Sequence, residues 1–210
     1  MSEPLRVKSW GMVEYTPTWA AMQALTSQRD EHTPDELWLL EHPPVFTQGL
    51  NGKAEHILNP GPIPVVAIDR GGQVTYHGPG QLVAYPLWDL KRLQLGVRDL
   101  VVGIEQIIIA TLKDFGMDAN GRRDAPGVYV GEAKIASIGL RIRRQACYHG
   151  LALNVNMDLS PFTRINPCGF SQLRVVDMQT LGVNTSVAAV SERLLTHACA
   201  WHAELQRRAR

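Results

Sequence analysis

The chain has 210 residues, of which 45% are hydrophobic; this is enough for a sizeable core and excludes a disordered protein. Its 21 lysines and arginines nearly balance its 20 aspartates and glutamates, so no overall charge favours nucleic acid or an anionic membrane. No apolar run reaches the roughly 20 residues that span a bilayer, and the N-terminus lacks a signal-peptide core, so we expect a cytoplasmic protein.

The first third of the chain has the pattern of a strand, a helix and a second strand. Leu5–Val13 mixes apolar and polar residues as an edge strand does, and Thr16-Pro17 predicts a capped helix start, with proline in the first turn. That helix is expected to end at the polar run Ser27–Thr33. Glu36–Glu41 is short, apolar and followed by two prolines, which favours a buried strand. Val45–Ile57 is expected to be rich in turns.

From Pro64 onwards, short β-branched runs alternate with glycine loops. The predicted strands are Pro64–Ile68, Gln81–Leu87, Gly127–Val130, Lys134–Arg143 and Cys147–Val155. The alternating pattern of Lys134–Arg143 is typical of a half-buried antiparallel strand. Apolar residues at helical spacing predict helices at Val97–Phe115 and Ser186–Gln206. This order predicts one α+β or mixed α/β domain over residues 1–210, and not a doubly wound dinucleotide fold.

The stretch Arg70–Gln81 places glycines and prolines around Thr75, Tyr76 and His77. Glycine lets the main chain approach a ligand closely, so the stretch is either a binding loop or two tight turns on either side of a strand. It matches neither the phosphate-binding P-loop nor the GxGxxG pattern, so nucleotide use is not indicated.

The three cysteines are odd in number and widely spaced, which indicates free thiols in a reducing compartment. Cys147 and Cys199 are interpreted as small hydrophobic residues of a strand and a helix. Cys168 lies between Pro167 and Gly169, where a loop can present its sulfur to a ligand. A thiol with a pKa of about 8.5 is only a few per cent ionised near neutrality, so a nucleophilic Cys168 needs a nearby cation or base.

Lys134, His77 and His149 are the candidates for that cation or base. Lys134 is either a solvated lysine at a strand end or a half-buried ammonium group. A half-buried ammonium group would lower the pKa of the thiol, and once desolvation has removed its own proton it could accept a proton. His77 and His149 are each either the cation or base beside Cys168 or a hydrogen-bonded core residue. No metal is expected, because the chain lacks CxxC and HExxH, and His197 and His202 do not have a spacing that shares one helix face.

Four motifs resemble, in their order, the octanoyltransferase family of lipoate biosynthesis. They are Arg70-Gly71-Gly72-x-x-Thr75-Tyr76-His77-Gly78-Pro79-Gly80-Gln81-Leu82-Val83-x-Tyr85-Pro86, Gly131-x-x-Lys134-Ile135-Ala136-Ser137-Ile138-Gly139, His149-Gly150-x-Ala152-Leu153-Asn154-Val155 and Pro167-Cys168-Gly169. The resemblance implies the fold of the biotin/lipoate ligase catalytic domain, with a mixed, mainly antiparallel sheet and flanking helices. It also implies that Cys168 takes an octanoyl group from acyl carrier protein as a thioester and passes it to a lysine of a lipoyl domain. Such a transfer needs neither ATP nor a metal, because a thioester is already activated.

The same resemblance assigns roles to individual residues. Lys134 becomes the group that lowers the pKa of the Cys168 thiol. Substrate binding falls to three stretches, which are Arg70, Gly71, Gly72, Gln73, Val74, Thr75, Tyr76 and His77; Ser137, Ile138 and Gly139; and Gly150, Leu151 and Ala152. The donor to the oxyanion is not assigned: it is either a main-chain N–H group near Gly169 or the side chain of His77 or His149. The two histidines could instead orient other groups.

The implied partners are octanoyl-acyl carrier protein, the lipoyl domains of 2-oxoacid dehydrogenase complexes and the glycine cleavage H protein. A local basic surface for acidic partners is offered by Arg122, Arg123, Arg141, Arg143 and Arg144. Neither a nucleic acid nor a membrane is expected as a partner. Three alternatives to the transferase remain: an ATP-dependent lipoate or biotin ligase, a non-catalytic acyl- or lipoyl-binding module, and a cysteine hydrolase.

Overall fold

Ten strands and three helices make up the computed structural model, which describes residues 4–122, 125–167 and 173–209. The strands are β1 (Arg6–Met12), β2 (Glu36–Glu41), β3 (Val45–Gln48), β4 (Val65–Ala67), β5 (Val74–His77), β6 (Gln81–Leu87), β7 (Asn120–Gly121), β8 (Gly127–Val130), β9 (Ala133–Arg143) and β10 (Ala146–Asn154). The helices are α1 (Tyr15–Gln28), α2 (Val97–Asp114) and α3 (Val187–Arg208), with one-turn 3₁₀ helices at Ala54–His56 and Ser160–Arg164.

The large sheet has seven strands in the order β1, β2, β6, β10, β9, β8, β7. Only β1 and β2 are parallel neighbours, and all the other adjacent pairs are antiparallel. A small sheet has the order β4, β3, β5, with β3 parallel to β4 and antiparallel to β5. The predicted mixed, mainly antiparallel architecture is therefore confirmed.

Helices cover both faces of the large sheet because successive side chains of a strand point to opposite sides. Leu37 and Leu39 of β2 belong to the main core, which also contains the apolar stripes of α2 and α3. Trp38 and Leu40, their neighbours in the chain, pack on the other side with Met22 of α1. No helix within the described ranges is both long and apolar enough to span a membrane.

The small sheet lies against the segment that leads to Cys168. Phe46 of β3 and Tyr76 of β5 share an apolar cluster with Phe162 of the second 3₁₀ helix. The backbone of this segment is also tied down, because Asn166 N donates to His56 O at 2.8 Å. The chain is therefore anchored up to the residues just before Pro167.

Of two local predictions that need correction, the first is wrong and the second is incomplete. Thr16 does not cap α1: it lies inside the helix, whose N-cap is Glu14, and the Thr18 hydroxyl donates back to Glu14 O. Val45–Ile57 is not only turns, because it contains β3. Four residues are too few to show a period in the sequence, and pairing with β4 and β5 on either side makes this segment a strand. The other predicted elements lie within a few residues of their predicted bounds.

Candidate active site

A cavity brings together the three predicted substrate-binding stretches, which are far apart in the sequence. It encloses about 500 Å³ of empty space, part of it open to solvent. The predicted residues that line it are Arg70, Gly72, Gln73, Val74, Thr75, His77, Ser137, Ile138, Gly139, Gly150, Leu151 and Ala152.

Two predicted substrate-binding residues do not line the cavity. The Tyr76 side chain points away from it and packs on Phe46 and Phe162, because it alternates along β5 with Thr75 and His77. Gly71 contributes backbone instead, and its N–H donates to Leu140 O of β9 at 2.9 Å. That bond attaches the glycine loop to the strand that forms the opposite wall.

Arg70 places a buried guanidinium group in the cavity wall. Its Nη2 donates to Thr47 O at 2.7 Å and to Thr47 Oγ1 at 3.0 Å. The Arg70 side chain crosses Gly139, where an added Cβ would lie 2.8 Å from Arg70 Cδ. Glycine is therefore needed at position 139 for this side chain to fit.

The hydrogen bonds of His77 determine its tautomer. Gln81 Nε2 donates to Tyr76 O and to Asn154 Oδ1, so Gln81 Oε1 is an acceptor and receives the His77 Nδ1–H at 2.7 Å. Nε2 is then the acceptor of the ring, 3.3 Å from the Thr47 hydroxyl. Burial, together with nearby His42, lowers the pKa of His77 to about 3, so the ring is neutral. Neither nitrogen presents a hydrogen to the cavity, which favours the orienting alternative over the oxyanion donor.

His149 lines the cavity and is held by a carboxylate. Its Nε2 donates to Asp69 Oδ1 at 2.9 Å, while Nδ1 faces the Tyr15 hydroxyl at 3.4 Å. The backbone of His149 is left-handed, with φ of 58°, which is uncommon for a residue other than glycine. Burial raises the pKa of Asp69, but hydrogen bonds from His149, Tyr148 and Gln23 outweigh it and hold the pKa well below its usual range. We interpret His149 as a fixed, orienting part of the wall.

The buried histidines allow a prediction of how the free energy of unfolding depends on pH. His42 donates from Nδ1 to Val13 O at 2.7 Å and accepts from the Tyr85 hydroxyl, and burial lowers its pKa to about 4. Unfolded histidine titrates near 6.5, so below that pH the unfolded chain binds protons that folded His42 and His77 do not. The free energy of unfolding is therefore expected to fall as pH drops from about 6.5 to 4.5, by up to about 1.4 kcal/mol per pH unit for each histidine.

Urea unfolding at several pH values measures this slope. The His42→Gln variant is expected to have a shallower slope than the wild type. His32→Gln is the matched control, because the His32 side chain is 86% exposed and should not alter the slope. A slope that is identical in the wild type and His42→Gln would contradict the assignment of His42 as a buried neutral residue.

Lys134 is buried, with 2% of its surface exposed, so the solvated alternative is wrong. Its Nζ donates to Pro126 O at 2.9 Å and lies 5.4 Å from the centre of the Tyr129 ring. Its backbone pairs with residues 174–176: Lys134 N donates to Arg174 O, and Lys134 O accepts from Val176 N. Lys134 itself does not line the cavity, but it lies on β9, the strand that carries the cavity residues Ser137–Gly139.

Cys168 and Gly169 lie outside the described residues. The other two cysteines are described, and they fit the prediction of small hydrophobic residues. Cys147 is fully buried in β10, where burial raises the pKa of its thiol to about 12. Burial also raises the pKa of the Cys199 thiol, in α3. Neither thiol is poised to ionise near neutrality.

Sequence reasoning missed Tyr15, Tyr85 and Asp69. Tyr15 and Tyr85 line the cavity, and Asp69 holds His149. In the sequence Tyr15 lies at a helix start, where nothing separates it from an ordinary core residue. Tyr85 falls inside the first family motif, but the resemblance assigns no site role to it. Asp69 directly precedes Arg70, but its partner is 80 positions away, and only the fold brings them together.

The predicted basic residues differ in how exposed they are. Arg143 and Arg144 are exposed at the turn between β9 and β10. Arg141 is half-buried, and Arg122 is paired with Glu132 at 3.3 Å. Arg123 lies outside the described residues. Among the described members of this set, the exposed guanidinium groups are therefore those of Arg143 and Arg144, and Arg144 Nη1 also donates to Ser27 O at 2.7 Å.

Across the described ranges, no group of three or more histidine, cysteine or acidic side chains is placed to hold a metal ion. The two histidines of α3 diverge as expected, since His197 contacts Asp114 and His202 contacts Asp35. The absence of a metal from the reaction stays a prediction.

Comparison with known proteins identifies the family. The lipoyl protein ligase A/B catalytic domain matches residues 14–199. An octanoyltransferase of Shewanella amazonensis is 61% identical over 92% of this chain and 89% of its own length. An octanoyltransferase of Chromobacterium violaceum is 60% identical over 92% of this chain and 94% of its own length.

Solved structures show the same fold at much lower identity. The bi-partite lipoate protein ligase of Thermoplasma acidophilum superposes with a TM-score of 0.77 at 18% identity, covering 99% of this chain and 92% of that one. The biotin protein ligase of Aquifex aeolicus gives 0.61 at 12% identity, covering 96% and 70%. With a matching catalytic domain over most of its length and relatives at about 60% identity, this chain belongs to the octanoyltransferases of the lipoyl protein ligase A/B catalytic-domain family.

Proposed function

We propose that this chain transfers an octanoyl group from octanoyl-acyl carrier protein to a lysine ε-amine of a lipoyl domain, through a thioester on Cys168. The observation that carries the proposal is the cavity whose walls are the three predicted substrate-binding stretches. One of these stretches lies on the strand that also carries the buried Lys134. The names of the relatives support a transferase of this kind.

Two displacements account for the transfer. The Cys168 thiolate attacks the carbonyl carbon of the donor thioester, a carbon–sulfur bond to Cys168 forms, and the phosphopantetheine sulfur leaves and takes up a proton. The acceptor amine then attacks the same carbon, an amide forms, and the bond to Cys168 breaks. The amine proton passes to a base, and the thiolate is restored. Because the donor is already activated, the proposal includes neither ATP nor a metal.

Lys134 has two tasks in this proposal: its ammonium charge keeps the Cys168 thiol ionised, and, once the ammonium has given its proton to the departing phosphopantetheine sulfur, its neutral amine receives the proton of the acceptor amine. Its burial supports the first task, because charges interact more strongly where water is excluded. Its backbone pairing with Arg174 supports proximity, since Cys168 is only six residues before Arg174 in the chain. Six extended residues span at most about 20 Å, which keeps Cys168 within reach of this part of the sheet.

The cavity suits a saturated chain better than a charged ligand at its centre. Val74, Ile138, Leu151 and Ala152 supply apolar wall. Each buried CH₂ contributes about 0.8 kcal/mol, so the six methylenes of an octanoyl chain would contribute about 5 kcal/mol. The depth of such a cavity also limits chain length, because a longer chain has to leave methylenes in water.

A transfer assay without nucleotide tests this function against the ligase and hydrolase alternatives. Purified protein, octanoyl-acyl carrier protein and an apo-lipoyl domain are incubated with apyrase to remove any ATP. We expect one lysine of the lipoyl domain to gain an octanoyl amide. Modification only from free octanoate with ATP would indicate a ligase, and release of free octanoate with no modified lysine would indicate a hydrolase.

Arg143 and Arg144 are proposed to guide the acidic protein partners to the cavity. Their removal in Arg143→Ala/Arg144→Ala is expected to lower kcat/KM for octanoyl-acyl carrier protein by up to about tenfold at low salt and to weaken its salt dependence. Steady-state kinetics over a range of salt concentrations measures both effects. Arg207→Ala, which removes an exposed charge from the end of α3, is the control. Equal salt dependence in all three proteins would contradict the guiding role.

The specific acceptors stay predictions: the lipoyl domains of 2-oxoacid dehydrogenase complexes and the glycine cleavage H protein. The cytoplasmic location also stays a prediction from the sequence.

A further inference from the structure

Two consecutive peptide groups beside Lys134 are bound by three different side chains. The Tyr129 hydroxyl donates to Ala125 O at 2.8 Å, and Lys134 Nζ donates to Pro126 O at 2.9 Å. Gly127 N donates to Glu105 Oε1 at 3.1 Å. The carbonyl that binds the lysine therefore belongs to the same peptide group as the N–H that Glu105 binds, and the preceding peptide group is held by Tyr129.

Glu105 reaches this segment from the mainly apolar buried side of α2. It is buried next to Ile104 and shares the buried side of the helix with Ile108 and Leu112. A carboxylate in such a position is costly unless it is hydrogen-bonded. Its bond to Gly127 gives the acid a specific task.

Gly127 completes the restraint on the lysine. Its φ of 137° is a conformation that other residues rarely adopt. An added Cβ would lie 2.6 Å from Lys134 Cε and 2.5 Å from Ala136 O, so the lysine chain occupies the space that a side chain would need. A small rotation of the peptide at Gly127 would move both the wall against which the chain packs and the carbonyl that binds Nζ.

We propose that Glu105 and Tyr129 are positioning residues for Lys134. They hold residues 125–127 so that Pro126 O and the open side of Gly127 direct the ammonium group. This inference rests on the proposed function, in which Lys134 ionises Cys168. It adds that the placement of the ammonium group depends on an acid of α2 that does not line the substrate cavity.

Three variants test the role of Glu105 in a single-turnover assay of Cys168 acylation by octanoyl-acyl carrier protein. Glu105→Leu removes the acceptor of the Gly127 N–H and is expected to slow acylation about three- to tenfold. Glu105→Gln retains an acceptor oxygen and is expected to remain within about twofold of the wild type. Lys134→Ala provides the reference for complete loss of the ammonium group. A Glu105→Gln variant as slow as Glu105→Leu would overturn the hydrogen-bond account.

The double variant Glu105→Leu/Lys134→Ala separates positioning from a general structural effect. If Glu105 acts through Lys134, the double variant acylates as slowly as Lys134→Ala and no more slowly. If the two losses multiply, Glu105 acts independently and the inference is wrong. Should Glu105→Leu fail to fold, Tyr129→Phe replaces it, because it removes only the hydroxyl that binds Ala125 O. The double variant Tyr129→Phe/Lys134→Ala is then compared with Lys134→Ala in the same way.

The reference variant distinguishes this inference from the proposed function. If Lys134→Ala acylates normally, the role of Lys134 in the proposed function fails, and with it any positioning of Lys134 for this reaction. If Lys134→Ala is slow while Glu105→Leu and Tyr129→Phe acylate at the wild-type rate, the proposed function stands and only the positioning inference is overturned.

Discussion

Replacing Cys168 with alanine is expected to abolish acyl-enzyme formation and to lower octanoyl transfer by three or more orders of magnitude. Without the sulfur there is no thioester to divide the transfer into two displacements, and the acceptor amine would have to attack the carrier-protein thioester directly. Loss of a nucleophile commonly costs kcat about this much or more. Transfer assays at saturating donor and acceptor measure the loss.

The control for this variant is Cys199→Ala. Cys199 is a half-buried thiol of α3, and the pKa of this thiol is raised by burial, so its removal should leave transfer unchanged. Turnover by Cys168→Ala at the wild-type rate would remove the covalent mechanism. A loss shared by both variants would mean that cysteine substitution damages the fold and would withdraw the support for a nucleophile at position 168.

Replacing Lys134 with alanine is expected to have the second large effect. The alkylation of Cys168 by iodoacetamide reports the thiolate fraction, and its pH profile is expected to move upwards by about one pH unit or more. An opposite charge within about 4–6 Å favours the ionised form of a group by about that amount, and the effect is largest where water is excluded. Octanoyl transfer should fall with the thiolate fraction and then further, because the acceptor amine loses its proton acceptor.

Lys113→Ala is the matched control, since Lys113 lies on an exposed position near the end of α2. Its alkylation profile should superpose on that of the wild type. A profile that is unchanged in Lys134→Ala would remove the electrostatic role of this lysine. Alkylation is followed by mass at Cys168, so that slow reaction of Cys199 is counted separately.

Much of the fold is predictable because it is encoded in short, periodic segments. The strand predicted at Glu36–Glu41 has the same bounds in the structure, and α2 ends one residue before the predicted limit Phe115. Strand β3 is not predictable in this way, because its four residues become a strand through pairing with β4 and β5. Local pattern therefore determines the long elements, and tertiary pairing determines the short ones.

In the candidate site, too, some features can be predicted from the sequence and others depend on the fold. Its three glycine-containing stretches are recognisable from motifs, and the structure brings them to one cavity. The burial of Lys134 is not visible in the sequence, where it begins an ordinary alternating strand, because its side chain packs against Gly127 and binds Pro126 O only in the folded chain. The same is true of the Asp69–His149 pair and of the hydrogen bonds that make His77 a neutral, orienting residue. Each depends on contacts that form only in the folded chain.

The most direct test of the account is intact mass spectrometry of the protein mixed with octanoyl-acyl carrier protein, before and after addition of an apo-lipoyl domain. We expect a mass increase of one octanoyl group, located on Cys168 by peptide mapping, in the absence of ATP. That mass should then disappear from the protein and appear on one lysine of the lipoyl domain. Transfer to the lipoyl domain with no octanoyl group on Cys168 at any time, at the resolution of rapid quenching, would contradict the account.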